Sequence, residues 1–367
     1  MNYTTKSNYE LRIMCKERNI HGYGGKNKDD LIALLTSNPV NTITTVMPII
    51  RYIDLFCGLG AFHTAFNSSP EFQCVLACDI DEGARKIYQA NYGLEPKGDI
   101  RKLDLATMPD FEILCAGFPC TTFSIAGNGE GFKDTVKGNL FYDILKIIDA
   151  KKPPMCILEN VKNLETHDNG NTFNTIKNEL VGRGYMITSK VINAVEYGSP
   201  QARQRIFIVA TRDKPFVIPN GNGVVRTVAS ILDPTVNRTD IDDGKYTLKA
   251  KSEKPVVPSK PHVVYDIMSK ASGKGGRQGE RVYSTDAVGI TVCASSGGPG
   301  AKTGLYKVGN RIRRLTVKET LGMFGFPSDY KFPGVSSEDC LFYLGNSIVV
   351  NVPLAFVPAV RTWFMPG

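Results

Sequence analysis

The sequence predicts an α/β protein: a doubly wound, mostly parallel sheet, joined by a smaller irregular domain and an N-terminal helical hairpin. Three observations predict it. From Ile50 onward, short apolar runs alternate with segments of helical periodicity, the order that builds a parallel sheet with helices on both faces. Residues 214–310 then change texture, becoming rich in Gly, Pro, Ser and Lys with few long periodic segments. Before residue 50, two short helical patterns flank a glycine-rich turn.

Each element follows in order. Residues 9–19 read as a first helix with Leu11, Met14 and Cys15 on one face; Gly22, Gly24 and Gly25 make a turn; residues 28–35 read as a second helix. Two short helices around a glycine-rich turn with basic residues resemble a SAP-type DNA-binding motif, so residues 1–40 are expected to form a SAP-like module. A linker over 41–49, in a stretch bounded by prolines, leads to the main domain. There, residues 52–56 form a strand, followed by a glycine turn and a helix near 61–67. A second strand at 74–78, a helix at 82–92, and strands at 113–116, 155–159 and 206–210 continue the alternation. Helical periodicity returns over 314–326, and 344–356 is expected to return to the sheet. The expected division is therefore a catalytic domain over 50–213, a second region over 214–310, and a return segment over 311–367 that completes the first.

Composition narrows the class. A chain of 367 residues can bury a full core and hold two or three domains. No apolar run approaches membrane-spanning length, and the opening Met-Asn-Tyr-Thr-Thr-Lys lacks the apolar core of a signal peptide, so no membrane is expected. The nine cysteines are scattered singly, without zinc or disulfide spacing. That pattern points to reduced thiols in a cytoplasmic or nuclear compartment and to no metal. A net charge of +8 permits an anionic partner such as nucleic acid.

The chemistry concentrates at the strand ends. Residues 113–119 run from an apolar strand through Pro119 into Cys120. Proline fixes its own φ and biases the residue before it toward extended geometry, so the thiol stands at a defined point beyond the strand. Deprotonated sulfur there would add to electrophilic carbon. Small residues over 124–131 suit a mobile cover. Residues 54–62 end one strand and open a helix; their glycines either let a ligand approach the backbone or make an ordinary βα turn. Asp79 ends the second strand, where an acid can accept both hydroxyls of a ribose. Asp99, read as following a third strand, is placed to accept from an adenine amine. Three such strand ends in order suggest an adenosine ligand. Glu159 closes another strand and would donate to a heterocycle nitrogen if burial raises its pKa. Arg203 and Arg205 share one face of an extended segment, placed to orient Glu159 or to hold a base carbonyl or a phosphate.

This order of motifs resembles the cytosine-5 DNA methyltransferases. The resemblance rests on Asp-Leu-Phe-x-Gly-x-Gly at 54–60, Phe-Pro-Cys at 118–120, Glu-Asn-Val at 159–161 and Gln-x-Arg-x-Arg at 201–205. Arg-Arg-Leu-Thr from Arg313, Gly-Phe-Pro from Gly325 and Gly-Asn-Ser from Gly345 complete it, so that it spans residues 50–360. It implies a sheet of the S-adenosylmethionine-dependent methyltransferase type, a target-recognition role for 214–310, and double-stranded DNA as the partner of a monomer. S-adenosylmethionine would lie over Phe56, Gly58 and Gly60, with Asp79 at the ribose and Asp99 with Ile100 at the adenine. Ile80, Pro119, Leu140, Asn346 and Ser347 would complete that pocket. Cys120, Glu159, Arg203 and Arg205 form the implied catalytic set: the Cys120 thiolate adds to carbon 6 of a cytosine flipped from the duplex, Glu159 meets the ring nitrogen and Arg205 the exocyclic oxygen. Carbon 5 then takes the methyl group, while the loop 121–139 closes over the base.

Two positions depart from the family's habit. Thr121 stands where Gln commonly follows the nucleophile, and Cys57 where a small residue such as Ala is usual. Neither removes the thiol or its partners. A tRNA-methylating branch of the same fold usually carries Cys-Phe-Thr in its recognition region, and no such triplet stands there. A silent DNA-binding relative has no chemical need for Cys120, Glu159 and Arg205 together. Loops 277–283 and 294–303 are candidates to reach DNA. A SAP-like module beside a compact methylase core points to a eukaryotic host or its virus.

Overall fold

The structure, a computed structural model, describes residues 3–17, 20, 23, 25–37, 48–119, 140–252 and 254–365. The chain divides into two compact units, Met1–Pro48 and Ile49–Gly367. In the first, α1 (Asn8–Glu17) and α2 (Lys28–Ser37) enclose a small core of Leu11, Cys15, Ile20, Leu31 and Leu35. Ser7 and Glu10 close a reciprocal cap at the start of α1: the Ser7 backbone N–H donates to the Glu10 carboxylate, and the Glu10 N–H to the Ser7 hydroxyl. Asn27 caps α2 through the Asp30 N–H.

The second unit is built on a six-stranded sheet in the order β2-β1-β3-β4-β6-β5. Its strands are β1 (Ile50–Leu55), β2 (Phe72–Cys78), β3 (Ile113–Gly117), β4 (Met155–Val161), β5 (Met186–Asn193) and β6 (Gln204–Thr211). The β2–β1, β1–β3 and β3–β4 pairs run parallel, and β6 runs antiparallel to both β4 and β5. Alternate residues of the central strands enter two separate cores. Tyr52, Ile113, Cys115, Met155, Ile157, Phe207 and Val209 face one; Ile53, Leu114, Ala116, Cys156, Leu158, Ile206 and Ile208 face the other. Burial on both faces is why these strands read as mostly apolar runs. The second core is closed by α5 (Leu140–Lys151) and α6 (Asn171–Val181). The first is closed by α3 (Ala61–Phe66), α7 (Val317–Phe324) and α9 (Asn351–Phe364). Helix α4 (Glu82–Tyr92) follows β2, and α8 (Ser337–Asn346) precedes α9.

A second sheet of short strands has the order β11-β10-β9-β8-β7, from β7 (Tyr246–Ala250), β8 (Val263–Ser269), β9 (Arg281–Ser284), β10 (Leu305–Val308) and β11 (Arg311–Arg314). Ile267, Val282, Leu305 and Ile312 form its own small core. Its Tyr283 and Tyr306 enter the main core, as do Phe216, Ile218 and Val228. Arg313, at the end of this sheet, is fully buried and makes two hydrogen bonds of 2.7 and 2.8 Å to Glu319, which in turn caps α7 through Thr316.

Four expectations need correction. The strand β5 lacks a sequence signature because it is an edge strand with mostly half-buried, mixed residues, and its antiparallel pairing makes the sheet more mixed than the sequence suggests. The segment after Leu344 meets the sheet as a helical layer, not as a strand: α8 ends at Asn346 and α9 packs over α3. The boundary at 310/311 falls in the turn of the β10–β11 hairpin, and the one at 213/214 precedes residues that share the main core. Finally, Asp99 follows no third strand. It caps a 3₁₀ turn, Ile100–Lys102, ahead of β3. Among the described residues, no single helix is long and apolar enough to cross a membrane.

Candidate active site

At the carboxyl edge of the parallel strands lies a cavity of about 230 Å³, at the point where the chain order reverses between β1 and β3. Its floor is the turn leaving β1. Phe56, Gly58 and Gly60 all have positive φ, at 54°, 48° and 72°. The backbone therefore winds left-handed at alternate residues, which costs a phenylalanine about 1–2 kcal/mol. The two glycines are needed for different reasons. A Cβ at Gly58 would meet nothing within 4 Å, so this position is open toward the cavity. A Cβ at Gly60 would stand 2.5 Å from the Tyr92 ring and 2.8 Å from that of Tyr88. Gly60 is thus required by aromatic packing and by the start of α3, and it does not line the cavity.

Asp79 and Asp54 supply the acidic wall. Asp79 accepts 2.8 Å from the Gly58 N–H and 2.9 Å from the Asp81 N–H, which leaves half the acceptor sites of its carboxylate open. Burial raises its pKa, against the pull of those two bonds. Arg85 braces the same turn by donating to the Asp79 and Ile80 carbonyls. Asp54 is only 2% exposed and its Oδ2 has no partner among the described residues. Burial, then the nearby Asp79 charge, pushes its pKa well up. Buried acceptors are ordinarily bonded, and this one faces a cavity without a donor. In the sequence Asp54 is only the head of its motif; nothing local distinguishes it from a satisfied acid.

The opposite wall carries Glu159, from the end of β4, in register with Gly117 of β3. A Cβ on Gly117 would stand tightly, at 3.1 Å, against Ile348 and in ordinary contact, at 3.6 Å, with the Glu159 carboxylate. Burial raises the Glu159 pKa, while Arg205 and then Arg203 lower it. The Arg205 Nε lies 3.2 Å from its Oε1. The antiparallel pairing of β4 and β6 brings these two residues to the same end of the sheet.

Arg203 behaves differently from the expected catalytic group. It is 3% exposed and donates at 2.9 Å to each of three backbone carbonyls, those of Val292, Gly345 and Ser347. Its plane lies over Phe324. The guanidinium therefore ties the residue just before β6 to the β9–β10 connection, to the last turn of α8 and to Ser347 after it. Asn160, the middle residue of Glu-Asn-Val, also braces backbone: its Nδ2 donates 2.8 Å to the Phe118 carbonyl, one residue before Pro119. Cys120 and the loop 121–139 lie outside the described residues.

The cavity gathers Phe56, Gly58, Asp79, Glu159, Asn346 and Ser347 of the expected set. Ile80, Asp99, Ile100, Pro119 and Leu140 do not line it. Ile80 is 68% exposed, Ile100 and Leu140 pack in the second core, and Pro119 is exposed. Asp99 is engaged by Arg101, whose guanidinium holds its carboxyl down at about 2. Residues that sequence reasoning misses and that do line it are Asp54, Cys57, Asp81, Phe342, Tyr343 and Ile348.

The family described as C-5 cytosine-specific DNA methylase matches residues 50–358. The chain is 39% identical over 309 residues to Type II methyltransferase M.HhaI of Haemophilus parahaemolyticus, covering 83% of this chain and 91% of that protein. It is 38% identical over 308 residues to Type II methyltransferase M.HaeII of Haemophilus aegyptius, covering 82% and 90%. The crystal structure of S. pombe Dnmt2 methyltransferase superposes with a TM-score of 0.64 at 18% identity, covering 86% of this chain and 98% of that one, a likeness of fold.

Proposed function

The chain belongs to the C-5 cytosine-specific DNA methylase family and is a DNA (cytosine-5) methyltransferase, and from its geometry we propose how its residues divide the work. The observation that carries the proposal is one cavity with Asp79 on one wall and the buried Glu159 on another, the latter ion-paired with the half-buried Arg205. Donor and base can thereby meet at adjoining surfaces.

The residues suit S-adenosylmethionine, the methyl donor of this family. Asp79 retains acceptor sites for ribose hydroxyls, the unpartnered Asp54 oxygen suits a cationic amine, and the open face of Gly58 admits a ligand against the backbone. Asn346, Ser347 and Phe56 complete that side. When bound, S-adenosylmethionine supplies an electrophilic methyl group on a sulfonium. Cys120 follows Pro119 at the end of β3, and its thiolate forms a bond to carbon 6 of cytosine. Glu159, whose pKa burial raises while Arg205 and Arg203 lower it, meets the ring nitrogen, and Arg205 donates to the exocyclic oxygen. Both interactions draw electron density out of the ring as sulfur adds, leaving carbon 5 nucleophilic. Carbon 5 takes the methyl group, and loss of its proton to solvent then breaks the sulfur–carbon 6 bond, expels the thiolate and restores the ring. The target base leaves the stack for this attack, in a specific duplex sequence read by the second sheet and its loops. Residues 1–40 act as a SAP-like module that adds a salt-dependent, sequence-independent contribution to DNA affinity.

The test is methyl transfer to unmethylated duplex DNA, read by bisulfite sequencing beside Cys120→Ala. Protected cytosines in one short context, absent in a variant that still binds S-adenosylmethionine, are the expected result. Donor-binding protein that protects no DNA would redirect the assignment to RNA or to a silent binder. Removing residues 1–48 should weaken DNA binding at low salt; unchanged affinity would remove the module from the proposal.

A further inference from the structure

Across the mouth of the cavity, α8 and α4 are joined by a contact that the chemistry above does not use. The Tyr343 hydroxyl donates 3.0 Å to Asp81 Oδ1. Asp81 is the N-cap of α4, the same oxygen accepting 2.7 Å from the Ala84 N–H, and its own N–H holds Asp79. The phenol has a seat made for it: a Cβ on Gly83 would stand 2.1 Å from the Tyr343 oxygen. Phe342 sits beside it at the same rim, 39% exposed. Burial and the Asp81 carboxylate push the Tyr343 hydroxyl up to about 12, so it remains a donor at neutral pH.

We propose that Tyr343, seated over Gly83 and bonded to Asp81, is a donor-positioning residue: it ties the two walls of the cavity together over bound S-adenosylmethionine and retards release of the demethylated product. This rests on the reading that the cavity holds the donor. The size of the cavity supports a moving rim. About 230 Å³ is below the roughly 300–1,000 Å³ usual for ligands of drug size, so loading and unloading widen it. The Tyr343–Asp81 bond joins the walls that must part. Through the Asp81 N–H, the tie also holds the Asp79 carboxylate at the orientation offered to a ribose.

Two variants break the tie by independent routes. Tyr343→Phe removes the donor and keeps the ring. Gly83→Ala evicts the phenol while raising the helix propensity of α4, so it should not unfold the protein. The readout is stopped-flow release of S-adenosylhomocysteine from the full-length chain, with equilibrium titration of both S-adenosylmethionine and S-adenosylhomocysteine. Each variant should release product about three- to tenfold faster and bind correspondingly more weakly, and the double variant should be no worse than either single one. Asp79→Ala separates the two layers of the argument. If Asp79→Ala leaves donor affinity intact, the cavity is not the donor site. If it abolishes binding while Tyr343→Phe and Gly83→Ala release product at the wild-type rate, the cavity assignment stands and the tie is refuted.

Discussion

Replacing Arg203 by Met tests whether the first arginine of its motif is chemical or architectural. The wild-type guanidinium gives three buried hydrogen bonds, each 2.9 Å, to the carbonyls of Val292, Gly345 and Ser347. Bonds to a charged donor contribute about 1.5–3 kcal/mol each, so the gross loss is roughly 5–9 kcal/mol. Against this stands the cost of holding a charge at 3% exposure, which Met avoids and which amounts to about several kcal/mol for a buried ion. Its Nε lacks a partner among the described residues, which adds to that cost. The net destabilisation should be roughly 2–4 kcal/mol, or about 3–5 °C in apparent melting temperature for a chain of this length. The Ser347 carbonyl belongs to a residue that lines the cavity and the Gly345 carbonyl to the last turn of α8 beside it, so S-adenosylmethionine should bind about 10- to 100-fold more weakly. Arg203→Lys keeps the charge but not the fork and should fall between. Differential scanning calorimetry and isothermal titration on the same preparations read both effects. A variant that melts with wild type, binds the donor within twofold, yet loses methyl transfer would show that Arg203 acts on the base after all.

Two further outcomes follow from the turn and its acid. Gly58→Ala should cost only the left-handed backbone, about 1–2 kcal/mol, whereas Gly60→Ala also drives a methyl into Tyr92 and Tyr88 and should cost about 2–5 kcal/mol; equal urea midpoints for the two would contradict the packing. Asp54 has a folded pKa raised well above its ordinary value of 3.8 by burial and by Asp79. The folded state therefore holds that proton more tightly than the unfolded chain, and the stability it contributes is present below the ordinary value and lost as pH rises through the folded one. Asp54→Asn should flatten the decline of melting temperature above about pH 4 and bind the donor more weakly; parallel melting curves for variant and wild type would show that the carboxylate is not strained.

Local pattern determined much of this protein. The parallel strands β1, β3 and β4 were legible because burial on both faces makes them mostly apolar, and α4 because its periodicity is strong and Asp81 and Gly93 cap its two ends. That Asp79 and Glu159 reach the cavity was legible because a strand's carboxyl end is where this architecture opens toward ligands. Edge strand β5 was not, since a half-solvated strand has little hydrophobic signature. The roles of Asp54, Arg203 and Tyr343 were decided only by the tertiary structure. An orphaned carboxylate oxygen, three carbonyls from two distant segments, and a phenol seated over Gly83 exist only once long-range packing brings those segments together. Sequence periodicity states which face a residue occupies. Which atoms await it there depends on the register of β4 against β6 and on where α8 comes to rest, because hydrogen bonds are set by separations of a few ångströms between residues far apart in the chain.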